Sequence, residues 1–196
     1  MGKMEGIEVQ RRMNEPTERQ KQIEEFLTWV REHAADNGYR AALRRAAGCR
    51  LSEADGKAMA AFYRAYRSEA VPSIEDRYFF AACVQCLWKP EELSRKQELI
   101  AGIRRMPPEE RGSVEKRICA ILDLDWAEDG YLARKLYRLI SWCRSKGIVV
   151  DCSRLLPDLL EWNWGSRKVQ KEWAKRLYRD EKEDMKESEG ERANAD

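Results

Sequence analysis

The sequence predicts an all-α protein made of two small helical bundles in tandem. Three observations support this fold class. Apolar residues recur at helical spacing in nearly every segment, and no segment has a strong strand signal. Glycine and proline, at 11 and 6 of 196 residues, are scarcer than in most β-sandwiches or low-complexity chains. Apolar residues make up 43% of the chain, enough to fill a core, and the 37% that are charged predict a heavily charged surface.

Four helices are predicted in an N-terminal domain that covers residues 17–90. The pair Asn37-Gly38 predicts the end of the first helix. Ser52 and Ser73 are each followed three residues later by an aspartate, a spacing typical of a capping box at a helix start. In chain order, the expected helices cover residues 17–36, residues 39–47, a stretch capped by Ser52, and residues 74–88.

Residues 91–112 are predicted to form a connection, because they are densely charged and contain prolines and a glycine. The C-terminal helical bundle follows at residues 113–180. Pro157 is tolerated only near a first turn, which favours Ser153 over Asp151 as the cap of its helix. The helices expected after residue 90 are a short one over residues 98–105, one capped by Ser113, one over residues 128–146, one capped by Ser153, and one from Ser166 to about residue 180.

Charge is distributed unevenly along the chain. Residues 180–196 hold eight acidic and three basic residues, a net charge of −5, so the rest of the chain carries +7 to give the total of +2. We expect residues 181–196 to be a disordered acidic tail and residues 1–16 to be a flexible N-terminus. Two roles are open for the tail, namely solubility or the masking of a basic surface in competition with nucleic acid. The body holds most of the 24 arginines, whose flat guanidinium matches phosphate, although a solvated, salt-bridged surface is the alternative.

The sequence argues against an enzyme and against a membrane protein. The one histidine, His33, leaves little scope for Ser–His or Cys–His nucleophiles, and no glycine-rich phosphate-binding motif is present. Cys83 and Cys86 form a CxxC in an apolar helical stretch without a second pair for zinc, so buried core thiols are favoured over a thiol enzyme. Asp123 and Asp125 lack further metal-ligand candidates nearby. Because these motifs are missing, we expect no catalytic residue, metal or cofactor. The sequence also has no run of 18 apolar residues that could cross a membrane, so we expect a cytoplasmic protein.

Basic residues gather on predicted helix faces, in one case together with aromatic rings. On the 128–146 helix, Arg134, Lys135 and Arg138 share a face with Tyr131 and Trp142. Cations that hold phosphates beside rings that stack on bases suit a nucleic-acid strand. The alternative is that the two rings pack on a neighbouring helix while the cations extend past them into solvent.

Three further basic groups are candidates for binding an anionic partner. Arg44 and Arg45 lie opposite the apolar side of their short helix. Lys116 and Arg117 are expected in the first turn of the Ser113 helix, where a bound phosphate would offset their unfavourable interaction with the helix dipole. The last helix carries a cationic strip of Lys168, Lys171, Lys175 and Arg179, with Arg167 just before it.

The order of these segments resembles the CasB family, the small subunit of the type I-E CRISPR Cascade complex. The resemblance is clearest in SKGIVVDCSRLLPDLLEWNWGSRKVQKEWAKRLY, a Leu-rich helix ending in Trp before a basic VQ–x–x–WA helix. It continues upstream in SVEKRICAILDLDWAEDGYLARKLYRLISWCRSKG, and AALRRAAG, AFYRAY and YFFAACVQCLW also fit. Each motif alone is weak, but their order and spacing cover roughly residues 20–180.

The resemblance implies a non-catalytic, all-helical subunit that stabilises an R-loop in antiviral defence. Its expected partners are guide RNA, the target and displaced DNA strands, the backbone and large subunits of Cascade, and a second copy of itself. The alternative is a helical adaptor whose basic faces meet acidic proteins. The positions that match the family are Arg44, Arg45, Lys116, Arg117, Arg134 and Lys135, and the helical wheels add Arg138, Arg167, Lys168 and Lys171.

Overall fold

The computed structural model describes residues 17–67, 71–127 and 129–178. Regular structure in these ranges is helical, apart from one isolated bridge between Gln97 and Val150, so the predicted all-α class is confirmed. The predicted flexible N-terminus and disordered tail lie outside the described residues. No described helix has the length and apolar character needed to cross a membrane. The α-helices are α1 Glu18–His33, α2 Asn37–Arg45, α3 Gly56–Ala65, α4 Pro72–Gln85, α5 Leu99–Arg104, α6 Pro108–Leu122, α7 Tyr131–Ser145, α8 Cys152–Glu161 and α9 Lys168–Tyr178.

The first two helices begin at side-chain caps. Thr17 forms a capping box with Gln20 at the start of α1, close to the predicted start. The Asn37-Gly38 pair, predicted to end α1, instead opens α2, which corrects the sequence prediction. The reason is the preceding Asp36, whose carboxylate accepts hydrogen bonds from the backbone N–H groups of residues 38 and 39 at 2.6 and 3.1 Å.

The helix starts predicted at Ser52, Ser73 and Ser113 are wrong. Asp55, expected as the third residue of a capping box, is itself the N-cap of α3 and accepts from the Ala58 N–H at 2.8 Å. Helices α4 and α6 begin with Pro72 and Pro108 instead of after Ser73 and Ser113, because proline already holds the helical φ and lacks an N–H that would need a partner.

The start of α8 also differs from the prediction. Asp151 is the N-cap, and its carboxylate accepts from the Ser153 N–H at 3.0 Å and from the Ser153 hydroxyl at 2.7 Å. Pro157 therefore lies inside α8. The predicted Ser153 cap is wrong because the aspartate offers the stronger acceptor two residues earlier.

The segment 91–112, predicted as a connection, contains helices and is hydrogen-bonded to the C-terminal half. It holds the 3₁₀ turn Glu92–Arg95 and then α5, so the short helix predicted over 98–105 is confirmed. Gln97 donates its N–H to the Val149 carbonyl and accepts from the Asp151 N–H, both at 2.8 Å. These two bonds fix α5 beside the junction between α7 and α8.

The buried residues of the described chain form one cluster that draws on both halves. Helix α8 packs against α4 and α1, and α9 packs against α5 and α6. Phe62 and Phe79 meet edge to face at 5.4 Å between ring centroids, and Trp162 and Trp173 do so at 5.1 Å. One shared core thus links the two halves of the described chain. The division of the chain into two bundles stays a prediction.

Candidate nucleic-acid interface

Helix α7 is the centre of the candidate interface. Its inner side is buried, with Leu136 and Ile140 fully covered. Arg134 and Arg138 project from the opposite side and are exposed. They are four residues apart, so the two guanidinium groups lie one turn from each other on the same surface. The predicted core stripe of this helix is confirmed, and the arginines of the predicted basic side lie opposite it.

An exposed aromatic ring lies beside these arginines at the start of α7. Tyr131 is 45% exposed, and the Lys135 ammonium lies 5.1 Å from its ring centroid. Arg134 donates a hydrogen bond from Nη2 to the Asp129 carbonyl at 2.6 Å, which orients its guanidinium near the same helix end. A ring flanked by cations and open to solvent can receive a base while the cations contact phosphates.

Helix α6 borders one edge of this surface. The Arg117 guanidinium lies 5.7 Å from the centroid of the Trp142 ring, and the Lys146 ammonium lies 5.8 Å from the same centroid. Lys146 also pairs with Glu110 of α6 at 2.6 Å. Trp142 is half-buried among these groups, so the packing alternative describes this ring better than base stacking does, in contrast to Tyr131.

Lys116 and Arg117 are exposed, but they are not at a helix start. Because α6 begins at Pro108, both lie beyond its second turn, and the predicted unfavourable interaction with the helix dipole does not arise. The predicted phosphate site at this helix start is therefore wrong in its geometry. The two side chains instead extend the cationic surface of α7 across the neighbouring helix.

The turn after α2 borders the other edge. Arg44 and Arg45 are exposed in the last turn of α2, where cations interact favourably with the helix dipole. Three residues on, Gly48 has a φ of +89° and lies so close to α7 that a Cβ there would be 2.7 Å from Cδ1 of Tyr137. This close approach holds the end of α2 against α7.

Seven of the ten predicted site residues thus lie on α7 or on the two segments that flank it. Within the described ranges, none of the seven has a carboxylate at ion-pair distance. Because no carboxylate of the described chain pairs with these cations, they are available to an anionic partner. We call these residues the basic face: Arg44, Arg45, Lys116, Arg117, Arg134, Lys135 and Arg138.

The other three predicted residues belong to a different surface. Arg167 has a φ of +50° and donates from Nη2 to the Leu122 carbonyl at 2.5 Å, and it pairs with Asp123 at 3.5 Å. Its guanidinium therefore satisfies the C-terminal end of α6. Lys168 and Lys171 are exposed on α9, which is packed on α6. We call these two lysines the α9 strip; Arg179, predicted to extend it, lies outside the described residues.

Two arginines near the basic face were not among the predicted site residues. Arg50 pairs with Asp76 at 3.4 Å, and its Cγ would lie 2.9 Å from a Cβ placed on Gly130 just before α7. Arg77 is buried, donates to the Ser73 carbonyl at 2.8 Å, and lies 5.6 Å from the Trp126 ring centroid. Burial lowers the pKa of Arg77. Neither Arg50 nor Arg77 lies next to a second cation in the sequence, so both lack the adjacent pair of basic residues that marked other candidate positions.

The thiols are placed as the core interpretation predicts. Cys83 and Cys86 are fully buried, and burial raises the pKa of both, that of Cys86 to about 12. His33, at the end of α1, stacks on Trp29 with 3.5 Å between ring centroids. In the part of the chain that the structure describes, no group of three or more His, Cys, Asp or Glu residues could hold a metal ion.

Comparison with known proteins identifies the family. The family model described as CRISPR-associated protein Cse2 matches residues 39–178. The chain belongs to the CRISPR-associated Cse2 family. The resemblance to CasB proteins found in the sequence is thereby confirmed. The Cse2 match includes all ten predicted site residues and stops before the acidic segment 180–196.

Solved structures agree with the Cse2 assignment. A Cse2-family protein from Thermus thermophilus is 25% identical with a TM-score of 0.64, and a CasB structure from the same species is 26% identical with a TM-score of 0.62; each match covers 79% of this chain and 96% of the other. A chain of a CRISPR RNA-guided surveillance complex shares the fold at 22% identity, with a TM-score of 0.64 and coverage of 82% and 93%. Comparison with curated proteins gives no match.

Proposed function

We propose that this Cse2-family chain is a non-catalytic small subunit of a Cascade surveillance complex and binds nucleic acid through its basic face. In this role it stabilises the guide RNA–target DNA hybrid and the displaced DNA strand, as part of antiviral defence. The observation that carries the proposal is the basic face itself. It draws seven cations from α7 and from α2 and α6 on either side, with no carboxylate of the described chain at ion-pair distance from any of them.

Contacts to the sugar–phosphate backbone are sufficient for this role. In RNA-guided recognition, base pairing reads the sequence, and the protein recognises shape and charge. The hybrid is about as stable as the DNA duplex it replaces, so a few backbone contacts can shift the balance toward the R-loop. Arginine supplies five of the seven cations, and its planar guanidinium can hold phosphate oxygens through two hydrogen bonds.

The exposed ring of Tyr131 favours a single strand as one of the ligands. Lys135 lies against this ring, and Arg134 follows it by three residues on the same helix. Unpaired bases stack on such rings without sequence preference, which suits a displaced strand of any sequence. The guide–target hybrid, whose bases are paired, would contact the arginines of the basic face and leave the ring unused.

The proposed protein partners follow from the Cse2 family and from the surfaces left over. One similar solved structure is of a CRISPR RNA-guided surveillance complex. We expect the backbone and large subunits of such a complex, and a second copy of this chain, to contact surfaces outside the basic face. The α9 strip is one such surface.

Charge reversal tests the proposal. Replacing Arg44, Arg45, Arg134 and Lys135 by glutamate should shorten the lifetime of the R-loop in the assembled complex while far-ultraviolet circular dichroism of the chain stays unchanged. For a single strand such as oligothymidylate, the log–log salt slope of binding should fall by about 3, or about 0.7 for each phosphate that is no longer bound. Unchanged R-loop lifetime and salt slope would remove these residues from the site.

The matched control reverses four exposed cations away from the basic face, namely Lys21, Arg31, Lys57 and Arg95. It has the same net charge as the test variant, but the cations that it changes are not part of the basic face. It should therefore leave the salt slope within about 0.7 of the native value, the contribution of one phosphate contact. A pull-down from the host, with extraction of bound RNA, separates the adaptor alternative. Recovery of one short RNA size class supports the proposal, whereas protein partners without RNA would support the adaptor.

A further inference from the structure

The C-terminal segment of this chain is acidic, whereas the rest of the chain is basic. Residues 180–196 carry −5, and the rest of the chain carries +7. The segment lies beyond the part that matches the Cse2 family, which ends at residue 178. We propose that the acidic segment 180–196 docks on the basic face of the same chain and competes there with nucleic acid.

The position at which the segment leaves the fold favours this surface. The described chain ends with Tyr178 at the C-terminus of α9, where the tyrosine hydroxyl lies 3.1 Å from Sγ of Cys119 on α6. Lys116 is three residues before Cys119 on the same helix and is exposed. Residues three apart are neighbours on a helix surface, so the segment starts beside the edge of the basic face.

The segment is also long enough to cross that face. Seventeen residues span up to about 55 Å when extended, and a flexible coil of that length has an end-to-end distance of about 20 Å. Neighbouring helices lie about 8–10 Å apart, so the step from α6 to α7 uses no more than about half of the coil's end-to-end distance. Carboxylates of the segment can therefore meet Lys116 and Arg117 first and Arg138 or Arg134 after that.

The charges complement each other. The seven cations of the basic face have no carboxylate at ion-pair distance among the described residues. The α9 strip is the nearest competing surface. A carboxylate already lies beside it, because Glu172 pairs with Lys175 one turn along the same helix at 3.1 Å. The basic face therefore offers the segment more uncompensated charge.

Zero-length cross-linking of the full chain tests the docking directly. A carbodiimide joins a carboxylate to an amine that touches it, and the basic face offers two amines, Lys116 and Lys135. We expect cross-links from the segment to these two lysines at low ionic strength and their loss at about 0.5 M salt, where screening is strong. Mixing isotope-labelled and unlabelled chains should show that the cross-links form within one molecule.

Two sets of lysines serve as internal controls. Lys21 and Lys57 are exposed on α1 and α3, and should not cross-link to the segment. Cross-links that favour Lys168 and Lys171 would place the segment on the α9 strip and overturn the proposal. Equal cross-linking to all exposed lysines, or cross-links between molecules only, would overturn it as well.

Competition is tested by binding to a 20-nucleotide oligothymidylate, measured by fluorescence anisotropy. A full-length variant in which the eight acidic residues of the segment become their amides should bind about fivefold more tightly, the effect of two exposed ion pairs of ordinary strength. Its salt slope should be steeper by about 0.7 for each cation released. A control variant with the same residues of the segment in shuffled order should bind like the native chain.

The competition rests on the proposed function, and the docking does not, so the two can fail separately. Cross-links to Lys116 and Lys135 without any binding of oligothymidylate would keep the docking and overturn nucleic-acid binding by this face. Equal binding by the native and amide chains, with no cross-links to these lysines, would overturn the docking and leave the proposed function standing.

Discussion

Replacing Gly48 by alanine should destabilise the fold far more than the same change at Gly147. Both glycines have a positive φ, +89° and +77°, that an L residue adopts only with strain. They differ in surroundings. A Cβ at Gly48 would lie 2.7 Å from Cδ1 and 2.9 Å from Cγ of Tyr137, whereas a Cβ at Gly147 would meet nothing within 4 Å.

The expected magnitudes follow from this difference. The left-handed backbone costs about 1–2 kcal/mol with alanine, partly offset by the lower entropy of the unfolded chain, which leaves about 1 kcal/mol for Gly147→Ala. At Gly48 the methyl group also displaces the Tyr137 ring, and overpacking of this kind adds about 1–3 kcal/mol. We therefore expect Gly48→Ala to lower the free energy of unfolding by about 2–4 kcal/mol.

Urea denaturation followed by tryptophan fluorescence measures both changes. With a slope of about 2 kcal/mol per molar urea, a difference of about 2 kcal/mol between the two variants separates their midpoints by about 1 M. Adding Tyr137→Ala should remove most of the extra cost at Gly48, which a double-mutant cycle detects. Equal costs at the two glycines would refute the conclusion that Tyr137 restricts the turn after α2.

Two further predictions concern the partly buried carboxyl group of Asp158 and the thiols. Burial raises the pKa of Asp158 above its ordinary 3.8, and the hydrogen bond from the Trp173 indole at 2.7 Å partly offsets this. The folded state thus holds this proton more tightly than the unfolded state, so Asp158 costs stability as the pH rises from 3.8 through the raised pKa. Asp158→Asn should remove that loss of stability, which urea midpoints measured across this pH range will show. Trp173→Phe should raise the pKa of Asp158 further in a carboxyl carbon NMR titration. An unchanged pKa would show that the hydrogen bond from the Trp173 indole is unimportant. Alkylation of the native chain, followed by mass spectrometry, should modify the exposed Cys119 well before Cys83 and Cys86, whose pKa values burial raises; fast reaction of the CxxC pair would favour the thiol-enzyme alternative instead.

Helical periodicity was the reliable signal in this sequence, because it reports which side of a helix is buried. Leu136 and Ile140 were predicted to face the core of α7 and are fully buried there. Helix starts were less predictable, since several residues can cap the same turn. Pro108 lies five residues before Ser113 and begins α6, so Lys116 and Arg117 lie in a different part of the helix from the one expected.

The candidate site was predictable as far as exposure goes, and its internal contacts were not. Arg134 and Arg167 have similar sequence surroundings, each near an aromatic residue and a second cation. Only the folded chain brings the Leu122 carbonyl, 45 residues away, to Arg167. The same holds for Trp142, whose neighbour Arg117 comes from the preceding helix α6. Contacts between distant segments carry no local sequence pattern.

The basic face is discontinuous in the chain, with its cations drawn from α2, α6 and α7. No unfolded chain holds these charges together, so an anionic partner that bridges them binds the native state alone. By mass action, such a partner at one hundred times its dissociation constant adds about 2.7 kcal/mol to the free energy of unfolding. Occupied chains would then survive proteolysis and heat that remove the unoccupied ones, and the abundance of this chain in a cell would follow the amount of that anionic partner.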